Sequence, residues 1–110
     1  MEAVSDPTGG TARDSARWPE HVLKCDQPYF EGVWRGVKTF EIREDNHGFQ
    51  PGDTLLLREG WRDAYGEYQY TGRFCRRRIT YVLRDFPALP EGYVAMAIVP
   101  CDLEEQRHDG

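Results

Sequence analysis

The chain has 110 residues, a formal net charge of -5 and three cysteines, Cys25, Cys75 and Cys101. That length allows one domain with one modest core. An odd number of widely spaced cysteines without a CxxC pair argues against a disulfide framework and against a structural zinc site, and points to a reducing, cytoplasmic setting.

The opening, MEAVSDPTGGTARDSARWPE, carries no apolar run, so neither a signal peptide nor a membrane anchor is expected. No other segment approaches membrane-spanning length. A negative net charge taken alone speaks against nucleic-acid binding. Its distribution changes that. Residues 1–20 hold Glu2, Asp6, Asp14 and Glu20 against two arginines, and residues 102–110 hold Asp102, Glu104, Glu105 and Asp109 against Arg107. The stretch between them is neutral, with eleven acids and eleven bases. A flexible tail over 1–19, a folded domain over 20–101 and an acidic tail over 102–110 are therefore expected.

His21 to Cys25 alternates apolar and polar residues and predicts a first strand. Asp26 is placed to cap a short helix with Pro28 in its first turn. Phe30, Val33 and Trp34 follow at i, i+3 and i+4, giving that helix one apolar face, and Phe30 and Trp34 are assigned to the core. Gly36 suits the position just past its end. A second strand is predicted over about 38–43, followed by a polar loop that holds His47 without an evident partner, and by a Pro51-Gly52-Asp53 turn. Thr54 to Arg58 is a short apolar run expected as a buried strand. EGWRDAYGE (59–67) is expected as a loop leading to a strand over Tyr68–Thr71. FCRRRITYVL (74–83) is the longest strand candidate, DFPALPEG (85–92) a Pro-rich connection, and YVAMAIV (93–99) an apolar closing strand. The cysteines are expected as small buried hydrophobes. The fold class is mainly β (α+β): a small closed or nearly closed β-barrel of about five to six strands with one or two short helices.

The second strand carries the chemistry, in GVKTFEIR (36–43). Alternation places Thr39, Glu41 and Arg43 on one face and assigns Phe40 and Ile42 to the core. Lys38 sits at the helix–strand junction and can lean toward the barrel mouth. An ammonium, a carboxylate and a guanidinium would then converge, a set suited to a ligand with phosphate and base edges. The alternative is a surface Glu41–Arg43 salt bridge that contributes little, and spacing alone favours it. A second cluster is Arg73, Arg76, Arg77 and Arg78 beside Phe74 and Tyr70. Arg76 and Arg78 project to one side and Arg73 and Arg77 to the other, so at least one pair must face solvent. Basic groups interleaved with aromatics suit single-stranded nucleic acid, and equally suit an edge strand protected by charge. Trp61, Tyr65 and Tyr68, in or beside the 59–67 loop, can stack on a base or pack on the barrel end. Lys24 borders the helix and adds charge to the same region. Asp85 is a further candidate carboxylate. His21, His47 and His108 are scattered, and no metal site or other cofactor is expected.

GVKTFEIR matches the G-x-K-x-x-E-x-R signature of ASCH domains, small relatives of the PUA RNA-binding barrels. HVLKC, PYFEGVWRG, FQPGDTLLLRE, YTGR, RRITYVL and GYVAMAIV extend the likeness over about residues 20–100. The whole resembles a short bacterial and phage ASCH-type group of unknown function. The resemblance implies a PUA-like barrel whose cleft, lined by Lys38, Glu41 and Arg43, binds RNA or a nucleotide, with Lys24, Arg76, Arg78, Trp61 and Tyr68 as secondary contacts. Some small ASCH members hydrolyse N4-acylated cytidines with the motif lysine, a threonine three residues later and a glutamate from a later strand. Here the third position after Lys38 is Glu41, and Thr39 is displaced from it by ~7 Å along a strand. An amidohydrolase with Lys38 as base or orienting group and Glu41 in acid–base work is thus the alternative, and a protein-interaction module with a vestigial cleft is a third. No membrane partner is expected, and a monomer is favoured.

Overall fold

The computed structural model describes residues 19–101; the two tails lie outside the described residues. In chain order the elements are β1 (Glu20–Asp26), α1 (Gln27–Trp34), β2 (Phe40–Glu44), β3 (Thr54–Arg62), β4 (Tyr68–Leu83) and β5 (Tyr93–Pro100). They form a single mixed sheet in the order β1-β3-β4-β5-β2, with β1 and β3 parallel and the other neighbours antiparallel. The described residues are mainly β with one short helix.

Alternation in β1 buries His21, Leu23 and Cys25, which face the same side as Leu55 and Leu57 of β3. Val94, Met96 and Ile98 of β5 continue that side, and Phe30 and Val33 of α1 cover it together with Phe49. Trp34, expected in the core, is only half-buried and stacks on Phe30 with ring centroids 5.6 Å apart. His21 Nε2 donates to Asp53 Oδ2 at 2.9 Å, and its ring meets the edge of His47 at 5.3 Å, so His47 has a partner that its polar loop did not suggest.

The two strands expected over 68–71 and 74–83 are one strand of 16 residues. A bulge joins them: Arg58 pairs with Phe74, but Gly60 pairs with Tyr70. Gly72, at φ +99°, takes up the extra length. The bulge turns Thr71 and Arg73 toward the buried carboxylate of Glu59, which accepts from Thr71 Oγ1 at 2.7 Å and from Arg73 Nε at 3.0 Å. Arg73 also reaches Glu31 on α1 at 3.1 Å, and the hydrogen bonds to Glu59 hold its guanidinium protonated well above the ordinary range.

The loop expected over 59–67 is shorter than that reading. β3 continues to Arg62, and Asp63 closes a tight turn by accepting from the backbone of Tyr65 and Glu67, both at 2.9 Å. Of the four clustered arginines, Arg77 is the buried one: it donates to the backbone carbonyl of Val33 at 2.9 Å and so ties the end of α1 to β4. Arg77→Leu removes a charge-assisted bond to a buried carbonyl and is expected to destabilise the domain by about 3 kcal/mol in urea unfolding. A loss below about 0.5 kcal/mol would contradict that role.

The sheet is not a closed barrel. Among the described residues no backbone ladder joins β1 to β2, the two ends of the sheet order. A side chain bridges them instead: Arg43 Nη2 donates to the Lys24 carbonyl at 2.9 Å. Among the described residues no helix is long and apolar enough to cross a membrane.

Candidate functional site

The open seam is a cleft of about 520 Å³. One wall comes from the end of β1 (Lys24, Cys25, Asp26), the other from Lys38 and β2 through Arg43. Tyr29 of α1, Arg62 of β3 and Tyr68 of β4 complete the lining.

β2 keeps the expected two-residue period but with the opposite phase. Phe40 and Ile42, assigned to the core, are each 48% exposed, whereas Glu41 is 3% exposed. The pairing explains it: Glu41 lies opposite Met96, whose side chain is buried, so the inward face of β2 is the charged one. A carboxylate tolerates that position only with cations on it. Lys38 Nζ donates to Glu41 Oε2 at 2.5 Å and to the Phe40 carbonyl at 2.7 Å. Arg43 Nε donates to Glu41 Oε1 at 3.0 Å. Each cation takes one oxygen, and Arg43 is further fixed by its bond across the seam to Lys24. The expected surface pair between Glu41 and Arg43 is therefore one half of a three-residue cluster around a buried anion.

Rings complete the cleft. The Tyr68 ring has Lys24 Nζ 5.1 Å from its centroid and the Arg62 guanidinium at 5.5 Å. Lys38 Nζ lies 4.8 Å from the Phe40 ring. Such placements are attractive and leave the cations oriented. Tyr68 Oη donates to Asp26 Oδ1 at 2.8 Å. Asp26 precedes α1 but makes no side-chain cap, so the expected N-cap carboxylate belongs to the cleft. Burial, and then the bond to Asp26, push the Tyr68 hydroxyl above the ordinary phenol range, so it stays a neutral donor. The lining thus combines Lys24, Lys38, Arg43 and Arg62 with two carboxylates and three rings, and its charge favours an anion.

Cys25 sits beside Glu41 as a buried thiol. Burial, and then the Glu41 carboxylate, push its thiol up to about 12. The folded protein should resist iodoacetamide at Cys25 at pH 8, with labelling appearing only in denaturant; rapid native labelling at this position would contradict the burial. The unfolded chain ionises this thiol near its ordinary 9.0 while the folded one does not, so stability is expected to fall as pH rises through that interval.

Of the residues expected here from sequence, Lys38, Glu41, Arg43, Lys24 and Tyr68 line the cleft. Trp61, Arg76 and Arg78 do not. Trp61 lies on β3 opposite Gln69, and Arg76 and Arg78 lie on β4 opposite Leu56 and Thr54, the former paired with Glu20 at 2.7 Å. Asp85 borders a separate hollow of about 410 Å³ with Arg84 and Tyr93. Asp26, Tyr29 and Arg62 were missed. Arg62 and Tyr68 face each other across the Asp63–Glu67 turn, a relation that a hairpin reading of DAYG exposes. Among the described residues no group of three or more His, Cys, Asp and Glu side chains is arranged to hold a metal ion.

A small mixed-sheet domain with a cationic and aromatic cleft at the seam of its edge strands is the class that this geometry defines. Residues 20–98 match the family model for a domain of unknown function, DUF3850, and the chain belongs to that family. It is similar to a protein of Escherichia phage P2, described as an uncharacterized 12.9 kDa protein in the GpA 3' region. The two are 36% identical over 76 residues, or 69% of this chain and 64% of the phage protein. The match therefore spans somewhat less than two thirds of the phage protein's length.

Proposed function

We propose that this domain binds a nucleotide, alone or at the end of a short RNA, in the seam cleft. The observation that carries the reading is the buried Glu41 carboxylate with Lys38 on one oxygen and Arg43 on the other. It holds two cations at one wall of an open cleft by hydrogen bonds to one carboxylate, which lowers the ordering cost when an anion arrives. A carboxylate offers about four lone-pair sites, so Glu41 retains capacity to accept from an exocyclic amine. Tyr29, Phe40 and Tyr68 supply ring surface for a base, and Lys24 and Arg62 supply charge for its phosphate.

The likeness of GVKTFEIR to the ASCH signature supports the same reading, with the sheet taken as a PUA-like barrel left open at one seam. Hydrolysis of an N4-acylated cytidine is less well supported. Both oxygens of Glu41 are engaged by cations, the Lys38 ammonium is held by two acceptors, and Thr39 is exposed and does not line the cleft. We assign the protein to the cytoplasm as a monomer, in keeping with its free cysteines.

Calorimetric titration with a cytidine tetranucleotide at about 50 mM and about 200 mM salt tests this. Saturable binding that weakens as salt rises is expected. Absence of heat at the lower salt, or an affinity indifferent to salt, would overturn it.

A further inference from the structure

Beyond the cleft, the outer face of β1, β3 and β4 is built from cations and rings in cross-sheet rows. Lys24, Arg58 and Phe74 form one row, Val22, Leu56 and Arg76 the next. Asp26, Gly60 and Tyr70 lie on the other side of Arg58, followed by Arg62 opposite Tyr68, and Arg78 ends the face beyond Arg76. This face is open to solvent: Val22 is 52% and Tyr70 39% exposed.

Four of the five cations contact rings, and Arg76 is also paired with Glu20 at 2.7 Å. The Arg58 guanidinium sits 3.6 Å from the Tyr70 centroid and that of Arg76 5.4 Å from Phe74, while Lys24 and Arg62 flank Tyr68. Tyr68 and Tyr70 meet edge to face at 5.2 Å, which joins this face to the cleft without a gap. Five cations stand here against Glu20 and Asp26, on a chain whose middle is neutral.

We propose that this face is a track for single-stranded nucleic acid leading away from the cleft. Three strands span about 10 Å across, the width of one nucleic-acid strand, and rows two residues apart carry the face over roughly 27 Å. A sheet face presenting rings for stacking and cations for phosphates is a sequence-tolerant way to hold unpaired bases. A duplex, whose bases are already stacked on each other, leaves the rings without a role. The track uses Arg58, Tyr70, Phe74, Arg76 and Arg78, none of which lines the cleft.

Fluorescence anisotropy with labelled oligo-cytidylates of about 2, 4, 8 and 12 nucleotides, on the full chain, tests it. Affinity is expected to rise at least tenfold between the dinucleotide and the 8-mer, then level off. The double variant Arg58→Ala/Arg78→Glu should lose at least tenfold for the 12-mer, show a shallower salt dependence, and bind the dinucleotide unchanged. Arg78→Glu alone, on an exposed side chain, serves if the double variant does not fold, with a loss of at least threefold expected. A 12-mer bound no more tightly than a dinucleotide, or bound equally by the variants, overturns the track and leaves the cleft reading standing. A 12-mer bound in an Arg78-dependent way without any dinucleotide binding supports the track and overturns the cleft. No binding of either overturns both.

Discussion

Lys38→Met is expected to lower nucleotide affinity at least tenfold and to destabilise the domain by about 2 kcal/mol. The two losses have separate origins. Affinity falls because the ammonium at the cleft wall is gone. Stability falls because Glu41, 3% exposed, is left with Arg43 alone. The Lys38 side chain is 19% exposed, so water enters the vacated space in part, and the cost stays below that of a fully buried pair. A second substitution separates the effects. Lys38→Met/Glu41→Leu removes both the cation and the stranded carboxylate and should recover most of the stability, because an apolar pair can replace a buried ionic one. It should not recover binding. A double variant that binds as wild type would mean that the cluster only supports the fold.

Gly60→Ala is expected to cost at least about 3 kcal/mol, a fall of ten degrees or more in Tm for a domain of this size. A Cβ at Gly60 would lie 2.3 Å from the Gln69 carbonyl oxygen and 2.4 Å from Cε2 of Tyr68. The first contact is with backbone of the neighbouring strand, which moves only if the β3–β4 ladder opens. The second displaces the ring that holds Lys24 and Arg62 over the cleft and donates to Asp26. Any folded Gly60→Ala protein should therefore also bind nucleotide more weakly. Thermal unfolding by circular dichroism checks this, and a Tm within about two degrees of wild type would show that the strands accommodate the methyl group.

The two expectations concern one structural theme, the placing of polar groups at the edges of an otherwise ordinary sheet, and that is also where sequence reasoning succeeded least. Alternation in His21–Cys25 and the i, i+3 pair Phe30 and Val33 were legible because each buried side chain there is apolar or, for His21, partnered within reach of the core. Pattern reading assumes that the apolar set of a strand faces inward. β2 violates the assumption because Lys38 and Arg43 make it favourable to bury Glu41, leaving Phe40 and Ile42 to the cleft rim. The motif residues were found by resemblance; their inward orientation was not.

The bulge at Gly72 hid the continuity of β4 in a similar way. Without knowing that Glu59 needs Thr71 and Arg73, the YTGR stretch looks like a break between two strands. Asp26 has the sequence position of a helix cap, and only the three-dimensional approach of Tyr68 shows its carboxylate to be used elsewhere. The choice between Arg73/Arg77 and Arg76/Arg78 as the outward pair was open for the same reason: both faces carry two arginines, and only Val33, Glu31 and Glu59 on the inner side decide it.

The central claim is that the seam cleft receives a nucleotide. A backbone-amide NMR titration of the full chain with cytidine monophosphate, repeated at low and moderate salt, tests it most directly. Saturable, salt-sensitive shifts at Lys24, Lys38, Phe40 to Arg43 and Tyr68 are the predicted result. Shifts confined to the hollow beside Arg84 and Tyr93, or no shifts at all, would contradict it.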